Sequence, residues 1–201
     1  PDMLAKLLAA IESQVAARRV LHLSVVVCDN DDAQSAAPIV AAAAARGRLR
    51  VNYVCEPVKN IALARNRAVM AAAGDYIAFI DDDEFAGPEW LETMMAALEA
   101  YDAAGVLGPV RPSFDEPPPQ WIIDGRFCER PEYPTGTLLR WQDCRTGNVL
   151  IKRAIIEGNS APFDAALGAG GEDQEFFRRI IALGHEFRWC NDGAVFETVP
   201  R

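Results

Sequence analysis

Leu4, Leu7, Leu8, Ile11 and Val15 recur at intervals of three and four, so residues 3–17 carry one apolar stripe and predict an amphipathic helix with Asp2 ahead of it as a cap. The period then changes. Residues 21–28 are β-branched and almost wholly apolar, which suits a strand covered on both faces of a parallel sheet, and the run stops at Asp29-Asn30-Asp31-Asp32. The same alternation predicts a helix over 35–45, a strand over 50–55 and a helix over 61–73 capped by Asn60. A strand over 76–80, a helix over 88–101 with Pro88 in its first turn and a strand near Val106 follow. Strand and helix taking turns in this way predict a doubly wound α/β fold with a mostly parallel sheet.

Beyond Pro109 the pattern breaks. Residues 111–135 hold a proline cluster, Pro117-Pro118-Pro119 included, and read as a long surface loop. Regularity returns with a strand over 148–151, a short helix near Ala154, a glycine-rich loop over 168–171, a helix over 172–183 and a strand over 186–190. Phe176, Phe177, Ile180 and Ile181 stand at helical spacing and read as core. The chain shows no internal repeat and no second core, so the expectation is one domain of two functional halves, 1–110 and 111–201. Doubly wound nucleotide-binding units open with a strand, whereas these residues open with a helix, so a first strand is expected to be missing from them.

Composition narrows the function classes. Half of the 201 residues are hydrophobic and the net charge is −9, which fits a globular domain and offers no general attraction to nucleic acid. No apolar run approaches the length that crosses a bilayer. Cys28, Cys55, Cys128, Cys144 and Cys190 form neither a paired framework nor a zinc-type spacing, and the reading is a reducing, cytoplasmic compartment.

The chemistry gathers at two places. Asp81-Asp82-Asp83-Glu84 follows the apolar strand 76–80 directly, at the carboxyl edge where open α/β sheets bind ligands. Crowded hard oxygens there suit Mg²⁺ or Mn²⁺, and strand alternation would set Asp81 and Asp83 on one side; the plain alternative is a solvated turn capping the next helix. Glu172 and Asp173 open a helix after the glycine loop, where the dipole favours carboxylates; Asp173 suits a general base, or both residues simply cap. Arg65, beside Arg67, offers a fork for a diphosphate, or a surface ion pair. Asp29 accepts a base or ribose hydrogen bond, or caps the following turn.

These pieces, in this order, resemble the inverting family 2 glycosyltransferases of the GT-A fold. The residues that carry the resemblance are 25–31, 60–66, 79–83, 146–148 and 171–177. The resemblance implies a GT-A-like, Rossmann-like sheet, a nucleotide-diphospho-sugar donor, an Asp-x-Asp element holding Mn²⁺ or Mg²⁺, and transfer to a saccharide or lipid-linked hydroxyl with inversion. Under it Asp81 and Asp83 hold the metal, and Asp82 contacts ribose or sugar. Asp29, Asp31, Arg65 and Asn66 lie near the donor, and Asp173, with Glu172, serves the base function. Thr146-Gly147-Asn148 resembles the loop that shapes the sugar and acceptor pocket.

Two departures stand out: no opening strand lines the base, and the family's C-terminal histidine has no counterpart in residues 195–201, where Glu197 is the candidate replacement. His22 and His185 do not fit that role. Trp121 and Trp141 are candidate stacking surfaces for a sugar, and the 111–135 and 168–171 loops candidate covers. A lipid-linked acceptor would place the protein peripherally at the inner face of the membrane, and an uncovered sheet edge would recruit a second copy. The competing readings are a nucleotidyltransferase, which lacks its basic glycine-rich phosphate loop here, and a non-catalytic sugar-nucleotide-binding module.

Overall fold

The computed structural model describes residues 2–14 and 22–199. Its elements in chain order are α1 (Asp2–Gln14), β1 (Ser24–Asp29), α2 (Ala37–Ala45), β2 (Arg50–Cys55), α3 (Ile61–Ala71), β3 (Tyr76–Ile80), β4 (Glu84–Ala86) and α4 (Trp90–Ala100). They continue with β5 (Gly105–Leu107), β6 (Val110–Ser113), α5 (Gln120–Gly125), β7 (Asn148–Lys152), α6 (Glu172–Ala182), β8 (Phe187–Trp189) and β9 (Val195–Thr198). The expected extension of the first helix to residue 17 and the start of the first strand at 21 lie outside the described residues.

α1 buries Leu4, Leu7, Leu8 and Ile11, the stripe its spacing predicts. Gln14 at its end is buried too: its amide donates to the Gly87 carbonyl and accepts from the Leu91 N–H at 3.1 Å, tying α1 to the first turn of α4. β1 and β2 run parallel, Ser24 opposite Arg50 through Asp29 opposite Cys55. A four-stranded sheet has the order β3-β7-β5-β8 and a three-stranded one the order β4-β9-β6.

The sheets are more mixed than the sequence predicts. β7 returns antiparallel between β3 and β5, and β4 is antiparallel to β9, while β5 with β8 and β6 with β9 are parallel. The physical cause is that the chain between β6 and β7 crosses without a packing helix of crossover length, so β7 enters from the opposite end. The register has a functional consequence: Ile80 lies opposite Asn148, so the acidic run after β3 lies beside the Thr146-Gly147 loop before β7. Among the described residues β1 pairs with β2 alone and β3 with β7 alone, although Val25 and Ile80 both pack on the cluster of Leu7, Ile11 and Leu49.

The main core lies under α6. Phe163, Phe176, Phe177 and Phe187 are each within 1% of full burial and make successive ring contacts at 4.9, 5.1 and 5.1 Å. The core role expected for Phe176, Phe177 and Ile180 is what the structure has, with Ile181 partly buried against them. β4, β6, β9 and α5 are not predicted by the sequence pattern; β6 and α5 begin at or inside the irregular proline-rich stretch, and strands this short exist through partners distant in sequence. Among the described residues no helix is long and apolar enough to cross a membrane.

Candidate active site

β3 is an apolar strand that ends where four consecutive carboxyls begin, and backbone bonding decides their arrangement. The Glu84 N–H donates to the Asp81 carbonyl at 3.2 Å, closing a tight turn, and the Asp81 N–H donates to Glu84 Oε2 at 3.3 Å. Asp82 and Asp83 are therefore turn residues, which corrects the expected strand alternation of Asp81 and Asp83. The Asp83 carbonyl in turn accepts from the Thr198 N–H of β9 at 3.0 Å.

Burial separates the four carboxyls. The Asp81 side chain is half exposed and Asp82 is exposed, whereas Glu84 is 2% exposed at the start of β4. Burial, with the Asp81 charge adding to it, pushes Glu84 up to about 9. Lost hydration also raises Asp81; Arg65 opposes that rise, while Asp83 and Asp82 add to it. Gly147 lies against both groups: a Cβ there would stand 2.9 Å from Glu84 Oε1 and 3.3 Å from Asp81 Oδ2, so a larger residue would displace one of them. Next to it Asn148 is buried, donating to the Pro109 and Gly193 carbonyls and accepting from Trp90 Nε1 at 3.0 Å, while the buried Thr146 hydroxyl has no partner among the described residues.

Across the β4–β9 ladder Glu84 faces Glu197, the candidate replacement for a histidine. Glu197 is held by Arg130 at 2.6 Å, and the Arg130 charge acts on both Asp81 and Glu84. Arg130 comes from the proline-rich loop and carries no motif; its contact is with Glu197 of β9, which pairs with both β4 and β6.

The second carboxylate group is built on α6. Gly171 precedes it at φ 92°, a left-handed conformation that glycine adopts without strain. Glu172 is 3% exposed and forms an ion pair with Arg65, whose other terminal nitrogen lies 3.8 Å from Asp81 Oδ1. Asp173 is partly exposed, and its Oδ1 accepts from the Gln174 N–H at 2.7 Å. A cavity of about 530 Å³ is lined by Asn30, Lys59, Asn60, Arg65, the loop 168–171, Glu172 and Asp173.

Asparagines hold that wall together. Asn30 donates to the Glu56 and Val58 carbonyls and accepts from the Asn60 N–H; Asn60 caps α3 through the Leu63 N–H and donates to the Ala165 carbonyl at 2.9 Å. Gly168 abuts the Asn60 amide so closely that no Cβ fits.

Other expected donor residues sit apart from the cavity. Asn66 is buried, with its amide bonded to both the N–H and the carbonyl of Phe163, and it does not face the cavity. Asp29 is 7% exposed, its Oδ2 accepting from the Ala36 N–H at 2.8 Å and the Tyr53 hydroxyl at 3.0 Å, which is the turn-capping alternative. Asp31 caps the Ala33 N–H, which holds its carboxyl below the usual range. Trp141 packs on the main core, and Trp121 is exposed beside Phe127.

Among the described residues no three His, Cys, Asp or Glu side chains converge as a complete cation site. Asp81 and Asp83, on an open turn, supply two hard carboxylates. That donor set fits Mg²⁺ or Mn²⁺ as these ions are commonly held, by one or two carboxylates with substrate phosphates completing the shell.

Comparison with known proteins decides the family. The profile of glycosyl transferase family 2 matches residues 1–158. The chain belongs to that family. The succinoglycan biosynthesis protein ExoM of Rhizobium meliloti (strain 1021) is 33% identical over 181 residues, 89% of this chain and 58% of that protein. The UDP-Glc:α-D-GlcNAc-diphosphoundecaprenol β-1,3-glucosyltransferase WfaP of Escherichia coli is 26% identical over 66% of this chain and 49% of its own. The chain thus spans about half the length of these curated relatives. Among solved structures, S. aureus TarS 1–349 in complex with UDP superposes with a TM-score of 0.72 at 19% identity over 98% of this chain and 56% of its own. The Pyrobaculum calidifontis mannosyltransferase PcManGT, in complex with GDP-Man and Mn²⁺, gives 0.71 at 19% over 100% and 54%. These family 2 and TarS-like likenesses establish the GT-A-type α/β fold that the resemblance implies.

Proposed function

We propose that this family 2 chain carries the donor-binding and catalytic machinery of an inverting glycosyltransferase. It would move a sugar from a nucleotide-diphospho-sugar to a hydroxyl of a saccharide or lipid-linked acceptor, in polysaccharide or glycolipid synthesis. The observation that carries the reading is that Arg65, in the cavity wall with Glu172 and Asp173, is paired with Glu172 on one side and lies 3.8 Å from Asp81 of the acidic turn on the other. Two relatives support the substrate class by name, one in succinoglycan biosynthesis and one a glucosyltransferase using UDP-Glc.

In this mechanism Asp173 takes the proton of the acceptor hydroxyl as its oxygen bonds to the anomeric carbon. The bond from that carbon to the diphosphate oxygen breaks on the opposite face, its electron pair leaving with the nucleoside diphosphate, so the centre inverts. Lys59 and the α3 N-terminus line the same cavity and favour an anionic occupant. Asp81 and Asp83 would hold Mn²⁺ or Mg²⁺; such an ion, when bound, neutralises charge on the leaving diphosphate.

The reading is checked by calorimetric titration of UDP and GDP, with and without Mn²⁺, into the wild type and Asp83→Ala. Metal-dependent binding that Asp83→Ala loses supports it, and no binding of either nucleotide under any condition overturns it. Inversion is read separately, from the anomeric configuration of the product by NMR.

A further inference from the structure

The sequence offers Arg65 as a diphosphate contact or as an ion-pair partner, and in the fold it lines the cavity with its guanidinium engaged by carboxylates. The side chain is 14% exposed and its guanidinium lies 6.0 Å from the Phe163 ring centroid, with one terminal nitrogen on Glu172 and the other toward Asp81. Glu172 depends on it: Oε1 takes the Arg65 contact, and Oε2 is buried with no partner among the described residues. No other cation is paired with this carboxylate among the described residues.

Arg65 is also fixed from below. The next residue, Asn66, is bonded to both backbone groups of Phe163 at 2.7 and 2.9 Å, and Asn60 at the start of α3 is bonded to the Ala165 carbonyl. α3 is thereby seated along the segment 163–168 that leads into the glycine loop and α6. The loop itself has left-handed glycines at 170 and 171, which supply no stiffness of their own. Phe176 and Arg179 anchor the body of α6 on Phe163 and the Pro162 carbonyl, and the Arg65–Glu172 pair links its first turn, with Asp173 the adjacent residue, to the Asp81 turn.

We propose that Arg65 is a positioning residue that fixes Asp173 relative to the Asp81 turn, and that Glu172 acts through Arg65 and not on the substrate. This rests on the reading of Asp173 as the base.

The experiment is a double-mutant cycle of Arg65→Met and Glu172→Met, reading nucleotide release from UDP-glucose, UDP-N-acetylglucosamine and GDP-mannose. Replacing both members with apolar residues of similar length removes the buried charge without leaving one unpaired, so the double variant keeps the fold. Each single variant is expected to lower kcat by about 10- to 100-fold with KM for the donor within about threefold, the signature of a misplaced reacting group. The double variant should be no slower than the slower single. Losses that multiply, or an Arg65→Met variant whose KM rises while kcat holds, overturn the proposal. If a Met variant fails to fold, Glu172→Gln reports in its place: a lowered kcat at constant KM is expected, and wild-type kinetics overturn the proposal. Asp173→Asn separates the two readings. Full turnover in that variant, or no turnover by the wild type on any donor, removes the base assignment and this inference with it. Lost turnover in Asp173→Asn beside multiplying losses in the cycle removes this inference alone.

Discussion

Arg65 and Glu172 stand 107 residues apart in the chain and meet as a buried ion pair at the wall of the cavity. A partner removed from such a pair leaves an uncompensated buried charge, which costs more than the pair itself contributes. Arg65→Ala is therefore expected to lose about 3 kcal/mol of stability, roughly 6 to 12 °C in Tm for a chain of this size. Glu172→Ala, which leaves the less buried arginine able to reach water, should lose less. Thermal melts of both variants check the order, and an Arg65→Ala variant that melts with the wild type would show that water already relieves Glu172.

Asp173→Asn keeps the shape of the side chain and removes its basicity. Turnover is expected to fall by about 10²- to 10⁴-fold, the usual contribution of a positioned base. Nucleotide affinity should stay within about threefold, because Asp173 is partly exposed and pairs with no cation among the described residues. Steady-state kinetics beside calorimetry separates the two effects.

Much of the fold was legible because its helices and longer strands carry their own periodicity. α1, α3, β3 and α6 lie within a few residues of their predicted ranges. Asp81 and Glu172–Asp173 were marked by position alone, an acidic run after an apolar strand and an acidic pair after a glycine loop. What sequence spacing does not carry is pairing between distant segments. The β4–β9 ladder puts Glu197 opposite Glu84, Arg130 pairs with Glu197, and nothing local marks any of the three as neighbours. Asn66 misleads for the same reason: its motif is adjacent to the cavity, yet its amide is spent on Phe163, almost 100 residues away. Strand alternation sets Asp83 beside Asp81, and the hydrogen bond from the Glu84 N–H to the Asp81 carbonyl makes a turn instead.

Gly147→Ala tests the closeness of the β7 loop to the acidic turn. The added Cβ would stand 2.9 Å from Glu84 Oε1, tighter than carbon–oxygen contact allows, and 3.3 Å from Asp81 Oδ2. Glu84 is buried and has little room to yield, so the strain passes to Asp81. The expected outcome is weaker binding of UDP or GDP in the presence of Mn²⁺, by about tenfold if the shift costs about 1.4 kcal/mol, with binding in chelator little changed. Equal losses with and without the metal would place the effect elsewhere than the carboxylates.

Glu84 gives the fold a pH dependence of definite sign. The group titrates at 4.5 when unperturbed and about 9 when buried beside Asp81. Between those values the folded chain holds a proton that the unfolded chain has released, so stability from this group is full below the lower value and is lost as pH rises through the higher one. The slope is on the order of 1 kcal/mol per pH unit. Glu84→Gln keeps a neutral side chain of the same shape and removes that slope. In a chelating buffer, where no cation competes for the turn, the wild type should lose Tm between about pH 6 and about pH 9. Glu84→Gln should lose less over the same range, so the gap between the two curves moves in favour of the variant as pH rises. Parallel curves would mean that Glu84 is ionised in the fold, with a cation such as Arg130 carrying more of its charge than burial removes.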